Sequence, residues 1–188
     1  MAKAVKTQAP SDCLHERILE QSEIKKLIGA ASSGRDRLLL SLLYSTGLRA
    51  SEVCSLNWSD LKPRHSGGQA TVCGKGGKTR TVLIAQSLWQ QLMSNERSDK
   101  TSAVFVSRTG RRLDRTMVHK IIKDCAASSG VNPHVSAHWL RHAHACHSLE
   151  NGCDVDVLMR SLGHSSLTIT SKYLHARPEE GSSQFIDI

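Results

Sequence analysis

Residues 138–176 concentrate side chains that can hold, give or accept a proton. This stretch contains six of the chain's ten histidines, two arginines and one of its two tyrosines. Three interpretations are open: a metal site, a nucleophile with polar helpers, or the ordinary surface of a helix. Imidazole and thiolate groups are the ligands of zinc, whereas a histidine beside an arginine is suited to binding an anion and moving a proton.

A helix over residues 136–150 would present His138 and Arg141 together. At 100° per residue the two positions lie one turn apart and about 60° from each other, with the small Ala145 between them. We therefore expect a gap beside this pair where a ligand can approach, although H-x-x-R alone is more typical of a basic, solvated helix face. The stripe facing the core is predicted to be Trp139, Ala143 and Cys146.

A metal site is the other specific interpretation of this helix. His138, His142 and Cys146 stand at i, i+4 and i+8 and could face one way. The spacing matches no common zinc pattern, and no acidic residue accompanies these three before Glu150. The sequence therefore predicts neither a metal nor a cofactor.

The second half of the stretch supplies a candidate nucleophile. Gly163 is predicted to end a helix and is followed directly by His164, with Tyr173 nine residues further on. The only other tyrosine, Tyr44, sits in an apolar helical pattern typical of core. Tyr173 lies among serine, lysine and histidine, so we expect its phenol to be accessible.

The elements that must position these groups are mostly helical. Apolar periodicity and capping residues predict that Ser22 caps the first helix, that Gly47 ends the second, and that Asp154 and Gly163 bound the last long one. The predicted helices are 22–32, 35–47, 50–61, 85–96, 114–129, 136–150 and 154–162, with a short one from Thr168.

A small sheet is expected beside these helices. Two β-branched runs around a glycine-rich turn predict a hairpin over 69–84, and 103–107 is a possible third strand. The predicted fold is mainly α with a small antiparallel three-stranded β-sheet.

Composition narrows the partners. The 188 residues carry 25 Lys+Arg against 17 Asp+Glu, a formal charge of +8, which favours a polyanion such as nucleic acid. Aromatic residues form only 4% of the chain, which argues against stacking on single-stranded bases and favours duplex DNA. Six cysteines without a C-x-x-C pair, no secretory signal and no membrane-spanning run indicate a soluble cytoplasmic protein.

Four motifs in order carry a family resemblance. "TGLRASEVCSLNWSDL", "HWLRHAHA", "LGHSSLTITSKYLHA" and the glycine-rich hairpin around Lys75 together resemble the catalytic domain of the tyrosine recombinases, the phage-integrase family. The resemblance runs from about residue 20 to 177. It implies a flexible lead at 1–17, a catalytic domain at 18–177 and a tail at 178–188.

The resemblance also implies a role for each matching residue. Glu52 would orient Arg49 or a neighbour by an i,i+3 pairing, and Lys78 is a less favoured alternative to Lys75. His144 stands where the family usually has an apolar or aromatic residue, so we expect it to be half-exposed or bound to a backbone group. The implied catalytic set is Arg49, Lys75, His138, Arg141, His164 and Tyr173.

The implied activity is cleavage and rejoining of duplex DNA through a 3′-phosphotyrosine, without metal or ATP. Other protomers assembled on the DNA are implied as partners, and the residues after Tyr173 could pack on one of them. Two alternatives stay open: a type IB topoisomerase and a DNA-binding module without activity. Since family members usually carry an N-terminal clamping domain, the chain is expected to be either a fragment or a minimal form with weaker, more salt-sensitive binding.

Overall fold

Seven α-helices, one short 3-10 helix (Trp58–Asp60) and one three-stranded sheet make up the described fold. The computed structural model describes residues 18–74, 77–95 and 101–163. The helices are α1 (Gln21–Gly29), α2 (Gly34–Thr46), α3 (Ala50–Ser55), α4 (Gln86–Met93), α5 (Arg115–Ser129), α6 (Ala137–Glu150) and α7 (Val155–Leu162). The strands are β1 (Leu61–Arg64), β2 (Gly67–Cys73) and β3 (Thr79–Ile84). The mainly α fold with a small antiparallel sheet is confirmed.

Local chemistry explains where the helices begin and end. The prediction that Ser22 caps α1 is wrong: Glu20 is the N-cap, and its amide donates to the carboxylate of Glu23 at 2.8 Å. Gly47 ends α2 and Gly163 ends α7, as expected, because both adopt the left-handed conformation that glycine tolerates. Helix α7 does start after Asp154, but the Asp154 side chain makes no capping bond.

The third strand of the sheet is not the predicted one. The sheet has the order β1-β2-β3, with both pairs antiparallel, so 69–84 is a hairpin but its other neighbour is 61–64. Residues 103–107 make only isolated bridges, from Ala103 to Asn57 and from Val106 to Arg112. Their apolar side chains fill core space instead, and Phe105 is 1% exposed.

Helix α2 lies at the centre of the domain. Leu39, Leu40, Leu42 and Leu43 are all fully buried, and consecutive buried positions mean that this helix is covered around most of its circumference. Its carboxyl end, Thr46–Gly47, is thereby fixed by the main core. The loop carrying Arg49 starts from this fixed point.

Helix α6 is buried more widely than its apolar stripe predicted. Ala143 and Cys146 are buried as expected, and Trp139 packs partly buried against the core. The expected gap at Ala145 is absent, because Ala145 is fully buried in a second cluster with Leu158 and Leu162 of α7. Packing of α7 on this face therefore closes the space that the helical wheel left open.

No helix within 18–74, 77–95 and 101–163 is both long and apolar enough to cross a bilayer.

Helix α4 packs tightly against the sheet at Gly68, and this contact generates a stability prediction. A Cβ added there would lie 1.9 Å from the Trp89 ring, so Gly68→Ala must displace a buried indole. We expect it to cost about 2 kcal/mol or more of unfolding free energy, measured by urea denaturation. Gly34→Ala is the control, since nothing lies within 4 Å of its Cβ in the first turn of α2. Equal stability of both variants would contradict this packing.

Candidate active site

A buried carboxylate, Glu52, stands at the centre of the candidate site. It is the third residue of α3 and is 4% exposed. Its oxygens accept the amide of Arg49 at 2.8 Å and Nη1 of Arg49 at 3.0 Å. The predicted i,i+3 pairing of Glu52 with Arg49 is therefore present, and it both caps α3 and holds the Arg49 side chain.

A second guanidinium completes the coordination of Glu52. Arg80 of β3 donates Nη1 to one oxygen at 2.7 Å and Nη2 to the other at 2.9 Å. Burial acts to raise the pKa of the Glu52 carboxyl, but hydrogen bonds from Arg80 and Arg49 outweigh it and bring the pKa below its ordinary value. Glu52 therefore stays ionised and keeps both arginines in place at neutral pH.

Arg49 is the accessible member of this trio. Its side chain is 40% exposed, against 12% for Arg80 and 3% for Glu52. One carboxylate faces two guanidinium groups, so the trio carries a net positive charge. Arg49 is therefore positioned to present that charge to an anion at the surface, where a planar fork of donors suits a phosphate.

Arg80 also reaches the end of α7. Its Nε donates to the carbonyl of Ser161 at 2.8 Å, and its side chain lies against Gly163. A Cβ on Gly163 would lie 3.0 Å from Cδ of Arg80, so a larger residue would crowd the arginine as well as strain the positive φ. Strand β3, helix α3 and the end of α7 are thus joined by one side chain.

Arg141 of α6 also reaches the end of α7, and it joins it to the end of α2. It is only 6% exposed and donates Nη1 to the carbonyl of Gly47 at 2.6 Å and Nη2 to that of Leu162 at 2.7 Å. These carbonyls lie at the carboxyl ends of α2 and α7, where the helix dipole favours a cation. Both partners are neutral, so these two bonds hold the guanidinium without cancelling its charge.

The contacts of Glu52, Arg80 and Arg141 form a continuous chain around the site. It runs from the end of α2 through α3 and β3 to the end of α7, and returns through α6 to α2. The described segments that carry Arg49, His138 and Arg141 adjoin this circuit of hydrogen bonds. The fold therefore brings Arg49 and Arg141 to a common region bounded by the β2–β3 connection and the end of α7.

His138 lies on the exposed face of α6, one turn before Arg141. Its Nε2 is 2.6 Å from Nε2 of His142, so one ring donates a hydrogen bond to the other. Cys146 is buried in the cluster between α6 and α7, away from the exposed face that carries His138. Among the residues described, no three His, Cys, Asp or Glu side chains gather to suit a metal ion.

Three of the predicted catalytic residues, Lys75, His164 and Tyr173, lie outside the described residues. The residues directly before two of them are described: Gly74, before Lys75, follows β2, and Gly163, before His164, ends α7. The alternative lysine, Lys78, is exposed, and its carbonyl accepts the amide of Gly74 at 2.8 Å. The assignments of these residues remain predictions from the sequence.

His144 connects the α2–α6 packing to the candidate site. As expected, it is partly buried and bonded to a backbone group, that of Tyr44. Its ring packs on Gly47, where an added Cβ would lie 2.6 Å from the imidazole. Burial lowers the pKa of His144 to about 4, against the bond to Tyr44 and together with the charges of Arg141 and His147. A neutral imidazole thus supports the residue that starts the Arg49 loop.

Sequence reasoning overlooked Arg80. It ends the segment "GKGGKTR", in which the family resemblance implies a catalytic role only for a lysine. A signal was available, because a strand predicted to alternate places Arg80 on the same face as the buried Val82 and Ile84. A largely buried arginine needs partners for its charge and its donors, and the carboxylate of Glu52 is the main one for Arg80.

Comparison with known proteins agrees with this geometry. Residues 17–180 match the sequence profile of the Phage integrase family. The chain belongs to this family. It is 37% identical over 166 residues to tyrosine recombinase XerC of Xanthomonas campestris, a match covering 85% of the chain and 51% of that protein. XerC of Mycobacterium tuberculosis is 38% identical over 179 residues, with 84% and 58% covered. The chain thus spans about half the length of these curated relatives.

Solved structures share the fold. XerA recombinase superposes with a TM-score of 0.74 at 31% identity, covering 89% of this chain and 62% of that one. The catalytic domain of bacteriophage HP1 integrase gives a TM-score of 0.68 at 25% identity, with 87% and 89% covered. XerH recombinase bound to its difH substrate gives a TM-score of 0.76 at 25% identity, covering 92% of this chain and 55% of that one. The described fold is that of the family's catalytic domain.

The two carbonyls bound by Arg141 lead to a stability prediction. Arg141→Lys keeps a positive charge, but a single ammonium cannot reproduce the fork that reaches both Gly47 and Leu162. Leaving one buried carbonyl without its donor is expected to cost about 1–3 kcal/mol of unfolding free energy in urea denaturation. The exposed Arg37→Lys should stay within about 0.5 kcal/mol of the wild type. If both variants matched the wild type, the two bonds would contribute nothing.

The low pKa of His144 predicts a pH dependence of stability. In the folded protein the pKa of His144 is about 4, below its ordinary 6.5, so the unfolded chain binds more protons between these values. The contribution of neutral His144 to the free energy of unfolding is complete above pH 6.5. It is lost as the pH falls toward 4, a loss on the order of 3 kcal/mol. Urea denaturation from pH 7 to 4 should therefore give a flatter profile for His144→Gln than for the wild type. Exposed His134→Gln should leave the profile unchanged, and an unchanged profile in His144→Gln would refute the assignment.

Proposed function

We propose that this chain provides the catalytic domain of a site-specific DNA recombinase, which cleaves and rejoins duplex DNA through a 3′-phosphotyrosine. The observation that carries this is the circuit of hydrogen bonds that gathers Arg49 and Arg141 between the β2–β3 connection and the end of α7. Family membership gives the reaction class. The recombinases and integrases named above support it over a topoisomerase or a silent binding module.

The proposed chemistry assigns one role to each residue. The phenol oxygen of Tyr173 attacks the scissile phosphorus, the bond from phosphorus to the 5′ oxygen breaks, and that oxygen takes a proton from Lys75. Because a phenol has a pKa near 10, forming the phenolate at pH 7 costs about 4 kcal/mol. His138 would accept the phenolic proton, while the arginines favour the negative transition state. His164 would donate to a non-bridging oxygen.

The described contacts support preorganised phosphate binding. Arg49 and Arg141 are both fixed by hydrogen bonds before any substrate arrives, so little reorganisation is needed when charge develops on the phosphate. The two differ in access: Arg49 is 40% exposed in its side chain, whereas Arg141 is 6% exposed as a residue. We infer that Arg49 meets the phosphate first and that Arg141 acts from deeper in the site. The phosphodiester energy kept in the phosphotyrosine would allow rejoining without ATP.

The partners follow from the same proposal. Duplex DNA would be the substrate, in keeping with the charge of +8, and other protomers would assemble on paired sites. Among the fold relatives, XerH is bound to a DNA substrate and a lambda integrase dimer to a core site. We propose residues 18–177 as the catalytic domain, with 1–17 as a lead and 178–188 as a tail that contacts a neighbouring protomer.

A suicide-substrate assay tests the proposal. Duplexes selected for binding to the purified chain are nicked near candidate cleavage positions, so that cleavage traps the covalent adduct, which a denaturing gel resolves. We expect adduct from the wild type and from Tyr44→Phe, but none from Tyr173→Phe. Because the chain has only these two tyrosines, the comparison assigns the nucleophile fully.

Two outcomes would contradict the proposal. A wild type that binds the selected duplex yet never forms adduct, even when supplied with a relative's N-terminal domain, would identify a binding module. Efficient plasmid relaxation by the monomer without a preferred site would identify a topoisomerase-like activity.

A further inference from the structure

Arg80 is a largely buried cation whose role the proposed mechanism leaves unassigned. Its guanidinium donates three hydrogen bonds, two to Glu52 and one to the Ser161 carbonyl. It lies 28 residues from the first partner and 81 from the second. A side chain that joins such distant segments at the edge of a phosphate-binding site affects more than the stability of its own strand.

The shared carboxylate connects Arg80 to Arg49. Oxygen Oε1 of Glu52 accepts Nη1 from both arginines, and Oε2 accepts Nη2 of Arg80 and the backbone amide of Arg49. Arg80 thus takes the bidentate position, and Arg49 uses a single side-chain nitrogen on Glu52. The bonds to Glu52 use Nη1 and the backbone amide of Arg49, which leaves Nε and Nη2 for another ligand while the residue stays fixed.

Without Arg80, the buried Glu52 carboxylate would need more hydrogen bonds from Arg49. A buried carboxylate with one cation removed must find other donors or accept a proton. Arg49 is the nearest remaining donor, and bidentate pairing would draw its fork inward and away from a surface ligand. Arg80 therefore keeps Arg49 available by satisfying Glu52 itself.

The other end of Arg80 acts on α7. Its bond to the Ser161 carbonyl, together with the close approach of Gly163, fixes the last turn of the helix that leads into His164. The same guanidinium therefore sets the relative position of Arg49 and the end of α7.

We propose that Arg80 is a positioning residue, which holds Arg49 toward the scissile phosphate through Glu52 and fixes the end of α7 through Ser161. This inference rests on the proposed function, because the phosphate is the substrate of that reaction. It predicts that Arg80 affects the rate of cleavage far more than the binding of DNA.

The first test compares Arg80→Met with Arg37→Met, an exposed arginine at the opposite end of α2. Adduct formation is measured on nicked duplex over a range of DNA concentrations. Because the adduct is trapped, kcat here denotes the single-turnover rate constant at saturating DNA, and KM denotes the DNA concentration that gives half of it. We expect Arg80→Met to lower kcat by about 10²-fold, with KM changed less than about threefold, because misplacement of a positioned group acts on the transition state. Arg37→Met should keep the wild-type kcat.

A neutral substrate separates positioning from general loss of structure. Replacing the scissile phosphate by a methylphosphonate removes the negative charge that Arg49 is held to meet. If Arg80 acts through Arg49, the deficit of Arg80→Met should shrink about tenfold on this substrate. A merely structural role would leave the same deficit on both substrates and overturn the proposal.

A double-mutant cycle supplies the decisive control for folding. Arg80→Lys keeps the charge with a single donor group, and we expect an intermediate kcat at near-native thermal stability. In a Glu52→Gln background, Arg80→Met should lower kcat far less than it does alone, because the two residues act on one target. Additive effects, or a normal kcat in well-folded Arg80→Lys and Arg80→Met, would refute the inference. If the wild type forms adduct in the same experiment, the proposed function stands even where the proposed role of Arg80 is refuted.

Discussion

The buried carboxylate of Glu52 is the constraint on which the rest of the site depends. Burying an ionised group is costly unless its lone pairs are filled and its charge is matched, and here four donors from two arginines do both. The carboxylate fixes the start of α3, one side of the sheet and the Arg49 loop at once. Because two guanidinium groups face one carboxylate, the same arrangement that stabilises the fold also leaves positive charge at the surface.

Two donors of Arg141 bind backbone carbonyls rather than the oxygens of a carboxylate. Its two donors meet carbonyls at the carboxyl ends of α2 and α7, so backbone dipoles take the part that Glu52 plays for Arg80. Neutral partners hold a cation less strongly than a charged partner does, and these two bonds do not themselves neutralise the guanidinium. The site thus combines an arginine clamped by a charge with one clamped by dipoles, and both are fixed before substrate binding.

The sequence predicted the local features and missed those that depend on distant contacts. Helix ends at Gly47 and Gly163 and the pairing of Arg49 with Glu52 follow from residues within one turn, and all are present. Strand β1 was overlooked because "LKPR" carries a proline and two charges, which an edge strand tolerates. The burial of Arg141 depends on how α7 packs across α6, which the spacing within α6 alone cannot reveal.

Long-range contacts make the site a property of the whole domain. Arg80 reaches Ser161 across 81 residues, and Arg141 reaches Gly47 across 94, so neither bond forms until α7 and α6 have docked on the sheet and on α2. Local helix formation can precede this docking, but Arg49, Arg141 and the end of α7 acquire their mutual geometry only with it. The free-energy cost of ordering the arginines is therefore met when the domain folds and not when the reaction occurs. It follows that weakening the backbone contacts of Arg80 or Arg141 should loosen the geometry of the proposed phosphate-binding site even where the protein remains folded.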